Sequence, residues 1–244
     1  MHLGNEAVTT GCVAFTFGIT GTGLTLAWLA AARTGIDRNR ATAAVALGAL
    51  VFAAQMLNVP ILPFSSAHLV GGVLLAWLLG PGLGAWTMAI VLALQAFLLG
   101  DGGTLALGAN ILNMALVPAA LVALARRYAG RTPAGVTLTI ASFASIILAA
   151  ALIVGEVAFL RPAGFGAFAW QILWIHVLIA VGEAAITLAL VAAMTGIQRP
   201  TAPRLAVACV IAAMLFLVTP FSSGLPDGYE ASAQRSGLNA LLAE

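Results

Sequence analysis

The chain begins Met1-His2, and these two residues could together offer three nitrogen donors to a transition metal. With Met1 as a free amino terminus, the donors are its α-amine, the backbone nitrogen of His2 and the His2 imidazole. They close fused five- and six-membered chelate rings, which favour the planar geometry of Ni(II) or Cu(II) and also accept Co(II). A further nitrogen would complete the plane. The two other histidines of the chain, His68 and His176, are the candidates for it.

The composition is that of a polytopic membrane protein. The chain is 62% hydrophobic and 7% charged, with a mean hydropathy of +1.08, whereas soluble domains carry roughly 25% charged residues. Cys12 and Cys209 lie in separate apolar runs, so the sequence predicts neither a disulfide framework nor a paired zinc motif. The basic residues number ten and are all arginine. This composition excludes nucleic acid as a partner.

Eight apolar runs approach the length of about 20 residues that a bilayer requires. They lie near residues 7–32, 41–57, 66–80, 83–100, 104–125, 136–158, 169–194 and 205–221. The third run begins in a segment with two prolines, Pro60 and Pro63, which predict a bent, non-helical start. We therefore predict an all-α helical bundle of seven or eight transmembrane helices.

The arginines predict the orientation of the bundle. With the N-terminus outside, most of them fall in cytoplasmic connections, as the positive-inside rule requires, and only Arg161 and Arg235 fall outside. The first residues contain no basic side chain, which argues against a cleaved signal peptide and for retention of Met1. In this orientation all three histidines lie towards the outer end.

Polar side chains that could orient metal-bound imidazoles gather near the same end. Each of them on its own more often joins two helices through a hydrogen bond. The candidates are Gln55, Asn58, Ser66, Asp101, Asn110 and Asn113, together with Gln95, which is placed deeper.

For the histidines, the residues alone leave alternatives open. Metal ligation and an ordinary solvated or interfacial position are equally compatible with His2 and with His68. For His176, close to Trp170 and Trp174, a position in the interfacial aromatic belt is favoured. Glu183 follows His176 on the same helical face and is a candidate for a buried pair or a proton relay.

No motif of an enzyme is visible. The glycines of Gly18–Gly23 lie inside an apolar run, where they indicate close helix packing and not a nucleotide loop. No paired Cys-x-x-Cys or His-Glu-x-x-His string is present. We therefore predict a transport or binding protein without its own ATPase site.

Several strings resemble the substrate-capture membrane component of cobalt/nickel energy-coupling-factor transporters. They are Met1-His2 and residues 52–58, 65–72, 95–96, 100–103 and 107–114. The string Pro226-Asp227-Gly228 and the residues around it resemble a segment of the small companion subunit of these systems. The chain departs from the pattern at Leu3–Glu6, where many relatives have an Ile-Pro-Asp-Gly-like string.

The resemblance implies a subunit whose N-terminal segment folds into the outer cavity and whose metal is held by Met1, His2 and His68. Ni(II) or Co(II) is then the transported cargo, and the sequence leaves the choice between them open. The implied partners are a transmembrane coupling protein, two ATPase subunits and the lipid of a bacterial cytoplasmic membrane, with a small companion membrane subunit as a further candidate. Residues 1–200 form the capture domain, and residues 201–244 form a C-terminal transmembrane helix and tail. The alternative is a stand-alone secondary metal transporter, for which inverted repeats are expected.

Overall fold

The structure is a computed structural model that describes residues 2–128, 130–160, 162–194 and 222–242, and most of these residues are helical. The helices are α1 Thr10–Thr34, α2 Arg38–Gln55, α3 Gly72–Leu79, α4 Pro81–Leu94, α5 Leu107–Ile111, α6 Val117–Arg127, α7 Ala134–Ala158, α8 Phe165–Met194 and α9 Gly228–Arg235. The turn Gln95–Leu99 continues α4, and the turn Leu112–Leu116 joins α5 to α6; both are π-helical. Strands β1 Val59–Leu62 and β2 Ser65–Ala67 form one antiparallel hairpin.

Residues with a defined capping chemistry set where the helices begin. The Thr9 side chain accepts the N–H of Cys12 at the start of α1, and Asp37 accepts the N–H of Arg40 at the start of α2. Pro81 occupies the first turn of α4, where its missing N–H costs no hydrogen bond. The sequence thus places each of these boundaries locally.

Five helices of the described residues are long and apolar enough to cross a membrane. They are Thr10–Thr34, Pro81–Leu99, Leu107–Arg127, Ala134–Ala158 and Phe165–Met194. They confirm the first, fourth, fifth, sixth and seventh predicted runs and the all-α membrane fold. The second run forms the 18-residue helix α2, and the eighth, 205–221, lies outside the described residues.

The third predicted run, 66–80, is wrong as a spanning helix. Its first residues belong to the hairpin, and the helix α3 that follows has eight residues, a length of about 12 Å. Gly71 precedes α3 with a φ of 76°, and Gly80 follows it with a φ of 91°. Glycine adopts such positive φ values readily, and the two glycines bound the helix. The run is apolar because other helices enclose it.

Two arginines satisfy the carbonyl end of α3. Arg40 Nη2 donates to Leu79 O at 3.1 Å, and Arg126 Nη2 donates to Trp77 O at 2.7 Å. Cations stabilise the C-terminus of a helix because its last carbonyls are unpaired and carry partial negative charge. Arg40 lies in the first turn of α2 and Arg126 in the last turn of α6. These helix termini therefore lie together at one end of the bundle, which we call the arginine end.

At the opposite end of the bundle lie the N-terminal segment, the loop after α4, the hairpin and the C-terminal segment. The N-terminal segment contacts the loop after α4, because Gly103 N–H donates to Leu3 O at 2.8 Å. The hairpin contacts the C-terminal segment, because Ser66 N–H donates to Pro226 O at 2.8 Å. We call this end the histidine end, since His2 and His68 lie in these segments.

We expect Gly72→Ala to destabilise the protein by about 1 to 3 kcal/mol, the usual cost of overpacking a close-packed core. A Cβ at this position would collide with the Met114 carbonyl oxygen and would lie 2.7 Å from Pro118 Cγ. Thermal unfolding in detergent, followed by circular dichroism, measures the change.

The matched control is Gly21→Ala in α1, where an added Cβ meets nothing within 4 Å. This change should leave the unfolding temperature unchanged or raise it slightly, because alanine is the better helix former. Equal destabilisation by both changes would contradict the packing assigned to α3.

Candidate metal centre

Hydrogen bonds to a single asparagine hold the N-terminal segment inside the bundle. Leu3 is fully buried; its N–H donates to Asn110 Oδ1 at 2.9 Å, and its carbonyl accepts from Asn110 Nδ2 at 3.1 Å. Leu105 N–H donates to the Asn5 side chain at 2.8 Å. These bonds fix the backbone that carries His2.

The His2 imidazole is nearly enclosed, with 7% of its side chain exposed. Its Nδ1 lies 3.3 Å from Asp101 Oδ1, and its Nε2 is buried without a hydrogen-bond partner among the described residues. Gln95 lies beside the ring, and both of its amide atoms are likewise without a partner there. Burial lowers the pKa of His2 to about 3, so the ring is neutral at pH 7, the form that binds metal.

His68 stacks on His2. The two ring centroids are 5.5 Å apart, and the planes are inclined by 18°. Nδ1 of His68 lies 3.1 Å from Leu69 O, so the tautomer that donates this hydrogen bond keeps its lone pair on Nε2. Burial lowers the pKa of His68 to about 4. The structure thus brings two neutral imidazoles together from segments far apart in sequence.

Side chains of two helices hold the backbone that follows His68. Gln55 Nε2 of α2 donates to Val70 O at 2.7 Å. Glu183 of α8 accepts the N–H of Val70 at 2.9 Å and the N–H of Gly71 at 2.8 Å. Gln55, one of the predicted residues, therefore bonds a main-chain carbonyl of the segment that follows His68.

Asn58 and Ser66 contact the C-terminal segment, residues 222–235. Asn58 N–H donates to Ser222 Oγ at 2.6 Å, and Ser66 Oγ donates to Leu225 O at 2.7 Å. Helix α9 begins with a capping box in which Asp227 and Glu230 satisfy each other's backbone N–H groups. The C-terminal segment is thereby bound along the hairpin next to His68.

A cavity of about 540 Å³ opens beside His2. Four carboxylate residues line it, brought from the N-terminal segment, the loop after α4 and the C-terminal segment: Glu6, Asp101, Asp227 and Glu230. A cleft lined by one sign of charge raises the local concentration of the opposite ion. The cavity therefore favours cations close to the two imidazoles.

Asn113 joins the turn Leu112–Leu116 to α7, the more common role that the sequence left open for it, because its Nδ2 donates to Glu156 Oε2 at 3.0 Å. The interfacial position predicted for His176 is wrong, because the side chain is fully buried and its Nδ1 bonds Ile172 O at 2.7 Å. Met1 lies outside the described residues.

Among the described residues, no three His, Cys, Asp or Glu side chains converge closely enough to hold a metal ion. The further donors that the sequence predicts for a metal at the two imidazoles are main-chain nitrogen atoms of the N-terminal segment.

Sequence reasoning missed the carboxylates of the C-terminal segment and the role of Glu183. The string Pro226-Asp227-Gly228 carried a signal, because a capping Asp at a helix start is recognisable. The role of Glu183 had no such signal, since its partners are backbone N–H groups of another segment.

The chain matches the CbiM family, which is described as a cobalt uptake substrate-specific transmembrane region, over residues 2–202. A protein of Archaeoglobus fulgidus that bears the name of a fused nickel transport protein, NikMN, is 37% identical over 177 residues. This match covers 69% of the chain and 60% of that protein. Cobalt transport protein CbiM 1 of Pelobacter propionicus is 38% identical over 124 residues, which cover 49% of the chain and 54% of that protein. Each match spans less than two thirds of the relative.

Two solved structures share the fold. A truncated transition metal transporter superposes with a TM-score of 0.71 at 26% identity, covering 80% of this chain and 99% of that one. A second transition metal transporter superposes with a TM-score of 0.72 at 25% identity, covering 84% of this chain and 96% of that one.

Proposed function

The chain belongs to CbiM, the family of cobalt uptake substrate-specific transmembrane regions, and on that premise we propose that it binds Ni(II) or Co(II) as transport cargo. The observation that carries the proposal is the stacked pair of neutral imidazoles, His2 and His68, beside a cavity rich in carboxylates. Relatives are named for both nickel and cobalt transport. Either ion suits nitrogen donors of this kind.

In the proposed site the metal is held by the Met1 α-amine, the backbone nitrogen and Nδ1 of His2, and the His68 imidazole. His68 offers Nε2, since Nδ1 faces the Leu69 carbonyl. His2 Nδ1 exchanges its contact with Asp101 for the metal, which then lies near a carboxylate that offsets its charge.

The surroundings of His2 fit this arrangement. Once Nδ1 binds the metal, Nε2 carries the proton and needs an acceptor. Gln95 lies beside the ring with an amide oxygen that is buried and has no partner among the described residues. An imidazole whose second nitrogen bonds a neighbouring side chain is the usual arrangement for a metal-binding histidine.

We further propose that the chain is the substrate-binding subunit of an energy-coupling-factor importer in a bacterial cytoplasmic membrane. The histidine end then faces outwards, since the arginine end carries the basic connections that favour the cytoplasm. Transport requires a coupling protein and two ATPase subunits. Residues 1–200 serve as the capture domain, while 201–244 take the place of part of a companion subunit.

We expect His68→Ala to abolish tight metal binding, because the change removes an in-plane nitrogen. The protein should stay folded, because His68 lies in a connecting segment and not in a helix. His176→Ala should weaken binding much less, since His176 is no ligand in the proposed site. Isothermal titration of both purified variants with Ni(II) and Co(II) tests this. Unchanged affinity in His68→Ala would remove His68 from the site.

An N-terminal extension tests the amine donor. An extension of several alanines before Met1, or acetylation of the amine, should lower metal affinity by orders of magnitude, because the Met1 nitrogen becomes an amide and no longer serves as the amine donor beside His2. A single added residue is avoided, since its amine could chelate together with His2 through two backbone nitrogens. The same extension added after Glu244 is the matched control and should have no effect. If extended protein binds Ni(II) or Co(II) as tightly as unmodified protein, the α-amine is not a donor.

Uptake in cells that lack other metal importers tests the assembly. We expect the chain alone to give no accumulation against a gradient, and coexpression with coupling and ATPase subunits to restore it. Robust uptake by the chain alone, sensitive to uncouplers and independent of ATP, would favour a stand-alone secondary transporter.

A further inference from the structure

Glu183 is a buried carboxylate that bonds only main-chain groups in the described structure. The residue is 4% exposed. Its Oε2 accepts the N–H of Val70 at 2.9 Å, and its Oε1 accepts the N–H of Gly71 at 2.8 Å. No arginine of the described ranges forms an ion pair with it. Each carboxylate oxygen thus accepts one of two consecutive backbone N–H groups.

That segment joins His68 to α3. Val70 is held from both sides, since its carbonyl accepts Gln55 Nε2 at 2.7 Å. Gly71 adopts a φ of 76°, and a Cβ there would lie 2.8 Å from Val51 Cγ1. Val70 and Gly71, whose amides Glu183 bonds, therefore have little conformational freedom.

A buried carboxylate is a costly way to fix a loop. Removing the charge from water costs several kcal/mol unless hydrogen bonds and dipoles offset it. Here the amides directly precede α3, and the N-terminus of a helix favours a negative group. A neutral glutamine would replace one of the two acceptor oxygens by an NH2 donor, which would face the N–H of Val70 or Gly71. A carboxylate, with two acceptor oxygens, bonds both amides.

These two hydrogen bonds matter because a metal site needs its donors fixed to within about 0.5 Å. His68 lies two residues before Val70, and its other flank is the hairpin, whose Ser66 is bonded to the C-terminal segment. Release of the Val70 and Gly71 amides would free one flank of His68 while leaving the other in place. The imidazole would then lose its defined position against His2.

We propose that Glu183 is a positioning residue for the His68 imidazole, acting from α8 through the Val70 and Gly71 amides. The inference rests on the proposed function, in which His68 supplies a nitrogen to the metal. Glu183 itself does not touch the metal. Its removal should change how the metal is coordinated as well as how stable the fold is.

The test is Glu183→Gln, with Glu156→Gln as the matched control. Glu156 is also a buried helix carboxylate, at 5% exposure, but it accepts from Asn113 Nδ2 and makes no bond to the His68 segment. Each purified variant is titrated with Ni(II), and its Cu(II) complex is examined by electron paramagnetic resonance for the number of coordinated nitrogens. The coordination signature separates positioning from a general loss of stability.

We expect Glu183→Gln to bind Ni(II) about 10- to 100-fold more weakly, the usual effect of removing a group that orients a metal-binding histidine. Its Cu(II) spectrum should show loss or heterogeneity of one nitrogen, as in His68→Ala. Glu156→Gln should keep the affinity and spectrum of the unmodified protein. Should Glu183→Gln not fold, Glu183→Asp, which keeps the charge but shortens the reach, should show the same spectral change.

A folded Glu183 variant with unmodified affinity and spectrum would overturn the inference, provided that His68→Ala loses both. The proposed function would then stand. If His68→Ala itself binds with unmodified affinity and spectrum, the proposed site is overturned and the positioning role falls with it.

Discussion

Irregular backbone that is buried inside a protein has no water to bond, so the protein itself must satisfy its amide and carbonyl groups. The two segments that carry His2 and His68 are of this kind. Asn110 satisfies both main-chain groups of Leu3, while Gln55 and Glu183 satisfy those of Val70. Because these three side chains come from α2, α5 and α8, the histidines meet only when the helices are packed.

Helix α3 applies the same constraint to its own ends. The two amides that directly precede it bond the carboxylate of Glu183, and its last carbonyls bond Arg40 and Arg126. An eight-residue helix with an anion at its N-terminus and cations at its C-terminus has charge complementing its dipole at both ends. This short helix is the covalent link from His68 to the arginine end. Hydrogen bonds to protein side chains thus fix α3 at both of its ends.

Hydropathy predicted the five long spans because length and apolar composition are sufficient for a lipid-facing helix. It failed at residues 66–80, since a short run enclosed by protein is as apolar as one enclosed by lipid. His176 was misplaced for a related reason: Trp174 is two residues away, about 200° around the helix. Tryptophan on one face says little about a histidine on the other.

The outer clustering of the polar residues was predictable in kind but not in pairing. Gln55 and Asn110 were recognised as candidates, yet both bond main-chain atoms, whose positions no side-chain pattern shows. Asp227 and Glu230 reach the cavity only because the C-terminal segment returns to the hairpin. The returning segment is hydrogen-bonded to Asn58 and Ser66, and composition does not specify such contacts.

The placement of the donors bears on how a bound ion could leave. On the proposed ligand set, three of four nitrogens belong to Met1 and His2, on one segment that the described structure holds mainly through Leu3 and Asn5. Each such hydrogen bond contributes about 1 kcal/mol net, and burial of the Leu3 side chain adds about 1.5 to 3 kcal/mol. Withdrawal of this segment alone would remove most of the coordination at once. On the proposed function, the N-terminal segment therefore carries most of the donors, and Glu183 would position the remaining one, His68.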